Sequence, residues 1–180
     1  MVAAMIRRPL SILAAIATIA AAAAPAALAP PAAAQDDRRG TGLPLPRFVS
    51  LKAETAHVRR GPGQEYEVAF TFVRSGVPLE ITQEFDTWRK IRDSEGAEGW
   101  IFHSLLSGDR AALVAPWAEA GPFAMRRDAE PQARVVAYLQ PRVMVDVEGC
   151  TGTWCEVGVE GYGGWIEQER LWGVYPDEVF

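Results

Sequence analysis

One pattern appears twice in this chain. Trp88-Arg89-Lys90-Ile91 is followed by Gly99-Trp100-Ile101 and then Leu106-Ser107-Gly108. Trp154-Cys155-Glu156-Val157 is followed by Gly164-Trp165-Ile166 and then Trp172-Gly173. The first Trp recurs after 66 residues and the Gly-Trp-Ile after 65. That period is too long for a solenoid repeat and matches the size of one small, independently folding domain. The chain therefore reads as two copies of one small β-module. The repeat defines the class of protein and leaves the ligand open.

Short strands carry each copy. Phe48 to Leu51 and Ala56 to Arg59 are extended, and Gly61-Pro62-Gly63 breaks the chain after them. Val68 to Val73 is an apolar strand. Val77, Leu79 and Ile81 alternate with Pro78, Glu80 and Thr82, the mark of a half-buried strand. Pro78 is expected to point outward at an edge or a strand start. In the second copy, Val143, Val145 and Val147 repeat the alternation at an offset of 66. No stretch keeps helical periodicity over three turns. Short strands with frequent turns predict an all-β chain of two tandem small barrels. The boundaries read as an extended lead-in over 35–46, barrel one over 47–110, a linker over 111–122 and barrel two over 123–180. The short linker implies that the barrels touch, with Trp117 between them. Leu43-Pro44-Leu45-Pro46 reads as a strap into the first strand, or alternatively as a proline-rich ligand for an aromatic groove.

The first 34 residues read as a cleaved signal peptide. Arg7 and Arg8 form a positive start, Leu10 to Ala24 is a continuous apolar run, and Ala32-Ala33-Ala34 is a small-residue cleavage site. The run is short for an uncleaved membrane anchor. The mature chain then holds 16 basic and 23 acidic residues, a net charge of −7. An acidic exported protein argues against nucleic acid or an anionic membrane surface as partner. The expected location is periplasmic or secreted, without stable membrane insertion after cleavage.

Cys150 and Cys155 are the only cysteines. An even count in an exported chain implies a disulfide, and the pair brackets the turn of an expected hairpin, which would set the two residues opposite each other. A redox-active pair would lack the C-x-x-C frame, and zinc would lack two further ligands. The equivalent residues of the first copy are Glu84 and Arg89, expected to form a cross-strand ion pair. Catalytic signals are sparse. His57 and His103 are the only imidazoles, and no serine sits in a nucleophile elbow. The acidic residues Glu65, Glu67, Glu84 and Asp86 read as solvated turn and strand faces rather than a carboxylate pair. No catalytic residue, metal site or cofactor is implied.

His57-Val58-Arg59-Arg60-Gly61-Pro62-Gly63, Tyr66, Trp88-x-x-Ile91 and Gly99-Trp100-Ile101 resemble the bacterial Src-homology-3-like (SH3b) domain. Together with Leu43-Pro44-Leu45-Pro46-Arg47-Phe48-Val49-Ser50-Leu51-Lys52 and Leu171-Trp172-Gly173-Val174-Tyr175-Pro176, the chain looks like an exported two-copy subgroup typical of alphaproteobacteria. The resemblance implies five- or six-stranded SH3-like barrels acting as binding or targeting modules, often on cell-wall peptides and often joined to wall hydrolases. A barrel this small uses its interior for its own core, which leaves rim aromatics as a shallow groove for extended peptides. The candidate ligand-binding residues are Tyr66, Trp88, Trp100 and His103 in copy one, with Tyr138, Trp154 and Trp165 in copy two. Arg59 and Arg60 are candidates for a peptide carboxylate. The two Gly-Trp tryptophans could equally be core or copy–copy interface. The leading expectation is a non-enzymatic module that binds peptide, peptidoglycan stem peptide or an envelope protein. The alternatives are a structural or assembly protein of the envelope and, third, a wall-hydrolase accessory or enzyme. The first copy is expected to carry recognition and the second to brace it.

Overall fold

The structure, a computed structural model, describes residues 40–180. The proposed signal peptide lies outside the described residues. The first sheet is built from β1 (Arg47–Leu51), β2 (Ala56–Arg59), β3 (Val68–Phe72), β4 (Pro78–Phe85), β5 (Trp88–Arg92), β6 (Glu98–Phe102) and β7 (Leu106–Ser107). The second is built from β8 (Ala111–Val114), β9 (Phe123–Arg126), β10 (Val135–Leu139), β11 (Met144–Cys150), β12 (Trp154–Val159), β13 (Tyr162–Glu167) and β14 (Leu171–Trp172). The orders are β3-β2-β6-β5-β4-β1-β7 and β10-β9-β13-β12-β11-β8-β14, the same topology twice. A single 3₁₀ turn precedes the last strand of each copy, at His103–Leu105 and Gln168–Arg170. The chain is two tandem SH3-like barrels.

The topology corrects the expected linker. Ala111–Val114 pairs with Met144 to Asp146 on one side and with Leu171 and Trp172 on the other. It is the first strand of the second barrel, the counterpart of β1. Pro78 is also corrected: it starts β4 as expected, but its ring is buried rather than outward. At the first position of a strand its missing N–H removes no interior ladder bond.

Each barrel has its own apolar core. Leu51, Val58, Leu79, Ile81, Ile91 and Ile101 fill the first. Val114, Met125, Val145, Val157, Ile166 and Leu171 are prominent in the second. The longest hairpin of each copy carries a register shift at the same place, between Ile81 and Gln83 and between Val147 and Gly149. A bulge there bends the strand and lets one hairpin serve both faces of a small barrel.

The Gly-Trp-Ile repeat now has a physical reason at each position. A Cβ on Gly99 would lie 2.9 Å from the Arg59 carbonyl oxygen, and one on Gly164 would lie 2.5 Å from that of Arg126. The glycine is therefore where β6 or β13 meets β2 or β9 most closely. Ile101 and Ile166 fall into the cores. Between them Trp100 and Trp165 are half-buried and sit opposite Arg59 and Arg126.

The barrels touch through side chains that the repeat does not share. Phe48 of β1 packs against Trp172 and Tyr175, with ring centroids 5.1 and 4.8 Å away. Tyr175 Oη donates to Glu80 Oε1 at 3.0 Å. Glu80 is buried and also accepts from Arg92 Nε at 2.8 Å. Burial and the Glu80 carboxylate push the Tyr175 phenol well above its ordinary range. Trp117 does not lie between the copies: it is 58% exposed.

Candidate functional site

At one end of barrel one, position 84 of β4 faces position 89 of β5. Glu84 Oε1 lies 3.1 Å from Arg89 Nε, and both side chains are almost fully buried. The expected cross-strand pair is present. Glu84 also accepts from Arg47 and from the Thr41 backbone N–H and hydroxyl, so the segment before β1 is fastened to the same carboxylate. Burial works against the charged form, but Arg47 and Thr41 outweigh it and hold the Glu84 carboxyl below its usual range. The matching position of barrel two holds the Cys150–Cys155 disulfide, whose residues pair across the hairpin. There the C-terminal tail docks instead, through reciprocal backbone bonds between Cys150 and Phe180. Glu178 accepts from both terminal nitrogens of Arg110 at 3.0 Å and from the Tyr175 N–H. Burial opposes this charge, and Arg110 and the Tyr175 N–H still hold it below its ordinary value.

The rim of barrel one carries a half-open groove of about 420 Å³, with His57, Arg59, Gln64, Trp88, Phe102 and Leu105 in its walls. Its aromatic side follows from register. Trp88 is opposite Phe102 across β5 and β6, and their rings meet edge-on at 5.7 Å. His103, in the turn that follows, packs against Phe102 with ring centroids 4.9 Å apart and planes tilted by 53°. Its basic side follows from the β2 bulge at Val58 and Arg59. Arg59 donates through one terminal nitrogen to the Tyr66 carbonyl oxygen at 2.6 Å, which fixes the guanidinium and leaves other N–H groups of its fork for a ligand. His57 Nδ1 lies 2.8 Å from Thr71 Oγ1.

The sequence candidates divide between places. Arg59 and Trp88 line this groove, His103 packs against its wall residue Phe102 without lining it, and Tyr66 fixes Arg59 through its backbone while its ring covers Gly61. Trp100 stands on the outward face beside Arg59 and Lys90. Arg60 is highly exposed and 3.8 Å from Glu67. In copy two, Tyr138 is 65% exposed on β10, Trp165 is half-buried against Arg126, and Trp154 is buried at 8% exposure rather than standing free at a rim. The second barrel has no counterpart of the aromatic ladder, because Glu167 is opposite Trp154 where Phe102 is opposite Trp88, and Gln168 replaces His103. His57, Gln64, Phe102 and Leu105 were missed as groove residues. Phe102 was legible as the next outward position after Trp100 on a strand of period two, whereas Gln64 gives no sequence signal.

The bacterial SH3 domain matches residues 52–108 and again 119–173. The chain belongs to the bacterial SH3 domain family. No match was found among curated proteins. Among solved structures, this bacterial SH3 chain is similar to NlpC1 from Trichomonas vaginalis, with 10% identity, a TM-score of 0.33, and 74% of this chain and 48% of that one covered. It is also similar to an NlpC/P60 family protein from Bacillus cereus, with 10% identity, a TM-score of 0.31, and 69% and 55% covered. The chain spans about half the length of these structures.

Proposed function

We propose that the protein is an exported, non-enzymatic binding module whose first barrel recognises cell-wall peptide. The observation that carries this reading is the groove that sets Arg59 beside the Trp88–Phe102 pair. An extended peptide can lay side chains against the aromatic wall and give a carboxylate to the guanidinium fork. The family supports the wall as target, since bacterial SH3 modules are commonly wall-binding. The disulfide fits an oxidising compartment outside the cytoplasm. Both sulfurs are joined, so neither serves as a nucleophile in this state.

Co-sedimentation with purified sacculi tests the reading. Wild-type protein is expected to pellet at moderate salt and to release no soluble wall fragments. Arg59→Gln is expected to lower the bound fraction severalfold while leaving the circular-dichroism spectrum unchanged. Protein that stays in the supernatant, or an Arg59→Gln variant that binds as well as wild type, contradicts the groove as the wall site.

A further inference from the structure

Barrel two has a larger recess than the groove of barrel one, with different chemistry. It encloses about 670 Å³ beside the 3₁₀ turn, and its walls include Trp117, Trp154, Glu167, Gln168, Glu169 and Asp177. Three observations agree on what it suits. First, its charge is negative. Glu167 and Glu169 share one counter-ion, Arg170, at 3.2 and 3.1 Å, and Asp177 enters none of the described ion pairs. Second, Gln168 is 4% exposed, and its amide nitrogen donates to the Tyr175 and Glu178 carbonyl oxygens. Its Oε1 is one of two buried polar side-chain atoms without a partner among the described residues. Gln168 is a wall residue of the recess, and an orphaned acceptor calls for a hydrogen-bond donor. Third, Trp117 is 58% exposed at the recess, and an indole face attracts cations better than other aromatic rings do. An anion would be repelled by this lining, and a neutral apolar ligand would leave the carboxylates and the amide oxygen unmatched.

We infer that this recess is a second binding site, which takes a primary ammonium group presented on a peptide. It is separate from the groove of barrel one and does not depend on that groove binding anything. The two barrels would then offer opposite charges, a guanidinium in one and carboxylates in the other.

The test follows the indole N–H resonances of the full mature protein in two-dimensional NMR. The probe is Nα-acetyl-lysine methylamide, and the control is its Nε-acetylated form, which lacks the charge. Glycinamide, with its ammonium on the backbone, distinguishes a chain terminus from a side chain as the source. Saturable shifts at the Trp117 and Trp154 resonances with either amine, absent with the acetylated control, support the site. The double variant Glu169→Gln/Asp177→Asn changes only exposed groups and is expected to weaken the interaction about tenfold. Trp117→Ala is expected to weaken it about fivefold. Arg59→Gln, in the other barrel, is expected to leave it unchanged. No saturable shift with either amine, equal shifts with the neutral control, or full binding by the double variant overturns the proposal. A failed sacculus assay beside a positive amine titration would count against the barrel-one groove alone.

Discussion

At position 84/150 the two copies solve one problem with different chemistry. Each must hold the end of its long hairpin and fasten a terminal segment there. Barrel one does it with a buried Glu84–Arg89 pair extended by Arg47 and Thr41, and barrel two with Cys150–Cys155 and the tail. Removing one partner of a buried ion pair leaves an unmatched charge, so Arg89→Met is expected to cost about 3–5 kcal/mol in a denaturant titration. The disulfide closes a short loop, so Cys150→Ser/Cys155→Ser is expected to cost only about 2 kcal/mol. The Glu84 carboxyl is lowered by folding. Its contribution is therefore complete above the ordinary carboxylate value and is lost as pH falls through the lower, folded one. Glu84→Gln is expected to flatten the acid limb of the stability profile measured by thermal denaturation at a series of pH values. The Glu84–Arg89 pairing was legible because a 66-residue offset maps it onto the cysteines. Thr41 and Arg47 were not, because their approach to Glu84 depends on how the chain folds back over some forty positions.

At the scale of elements, the repeat stated the register of β5, β6, β12 and β13 directly, since Gly, Trp and Ile each hold one fixed relation to the neighbouring strand. Gly99→Ala places a methyl against the Arg59 carbonyl and Val58. It is expected to destabilise by about 1–3 kcal/mol, read as a lowered denaturant midpoint with an unchanged slope. β8 was not legible. Ala111-Ala112-Leu113-Val114 is short and shows no alternation, so the Ser107-Gly108-Asp109 break before it reads as the end of the first copy rather than the start of a new strand. Its kinship with β1 is hidden because Ala111 stands where β1 has the bulky Phe48, by their common register against β11 and β4. The same asymmetry explains the groove. One outward position holds Phe102 in β6 and Glu167 in β13, which makes one rim aromatic and the other acidic.

In the whole molecule, the two cores are separate and the tail of the second barrel returns to the first. Phe48 and Trp172 stand where the other copy has Ala111 and Ser107, so an interface built from them and Tyr175 could not be read from the internal symmetry. Tyr175→Phe removes a donor to the buried Glu80 carboxylate and is expected to cost about 1.5–3 kcal/mol. Folding raises the Tyr175 phenol. Its contribution is intact below the ordinary phenol value and declines as pH climbs from there through the folded one, so Tyr175→Phe is expected to remove part of the alkaline destabilisation. Under the proposed function, wall peptide binds at the barrel-one rim. Titration of the labelled protein with a soluble stem tetrapeptide, followed by NMR, tests it most directly. Saturable shifts at the Trp88 indole and the His57 ring, lost in Arg59→Gln, are expected. Shifts confined to other parts of the molecule, or none at millimolar peptide, would contradict it.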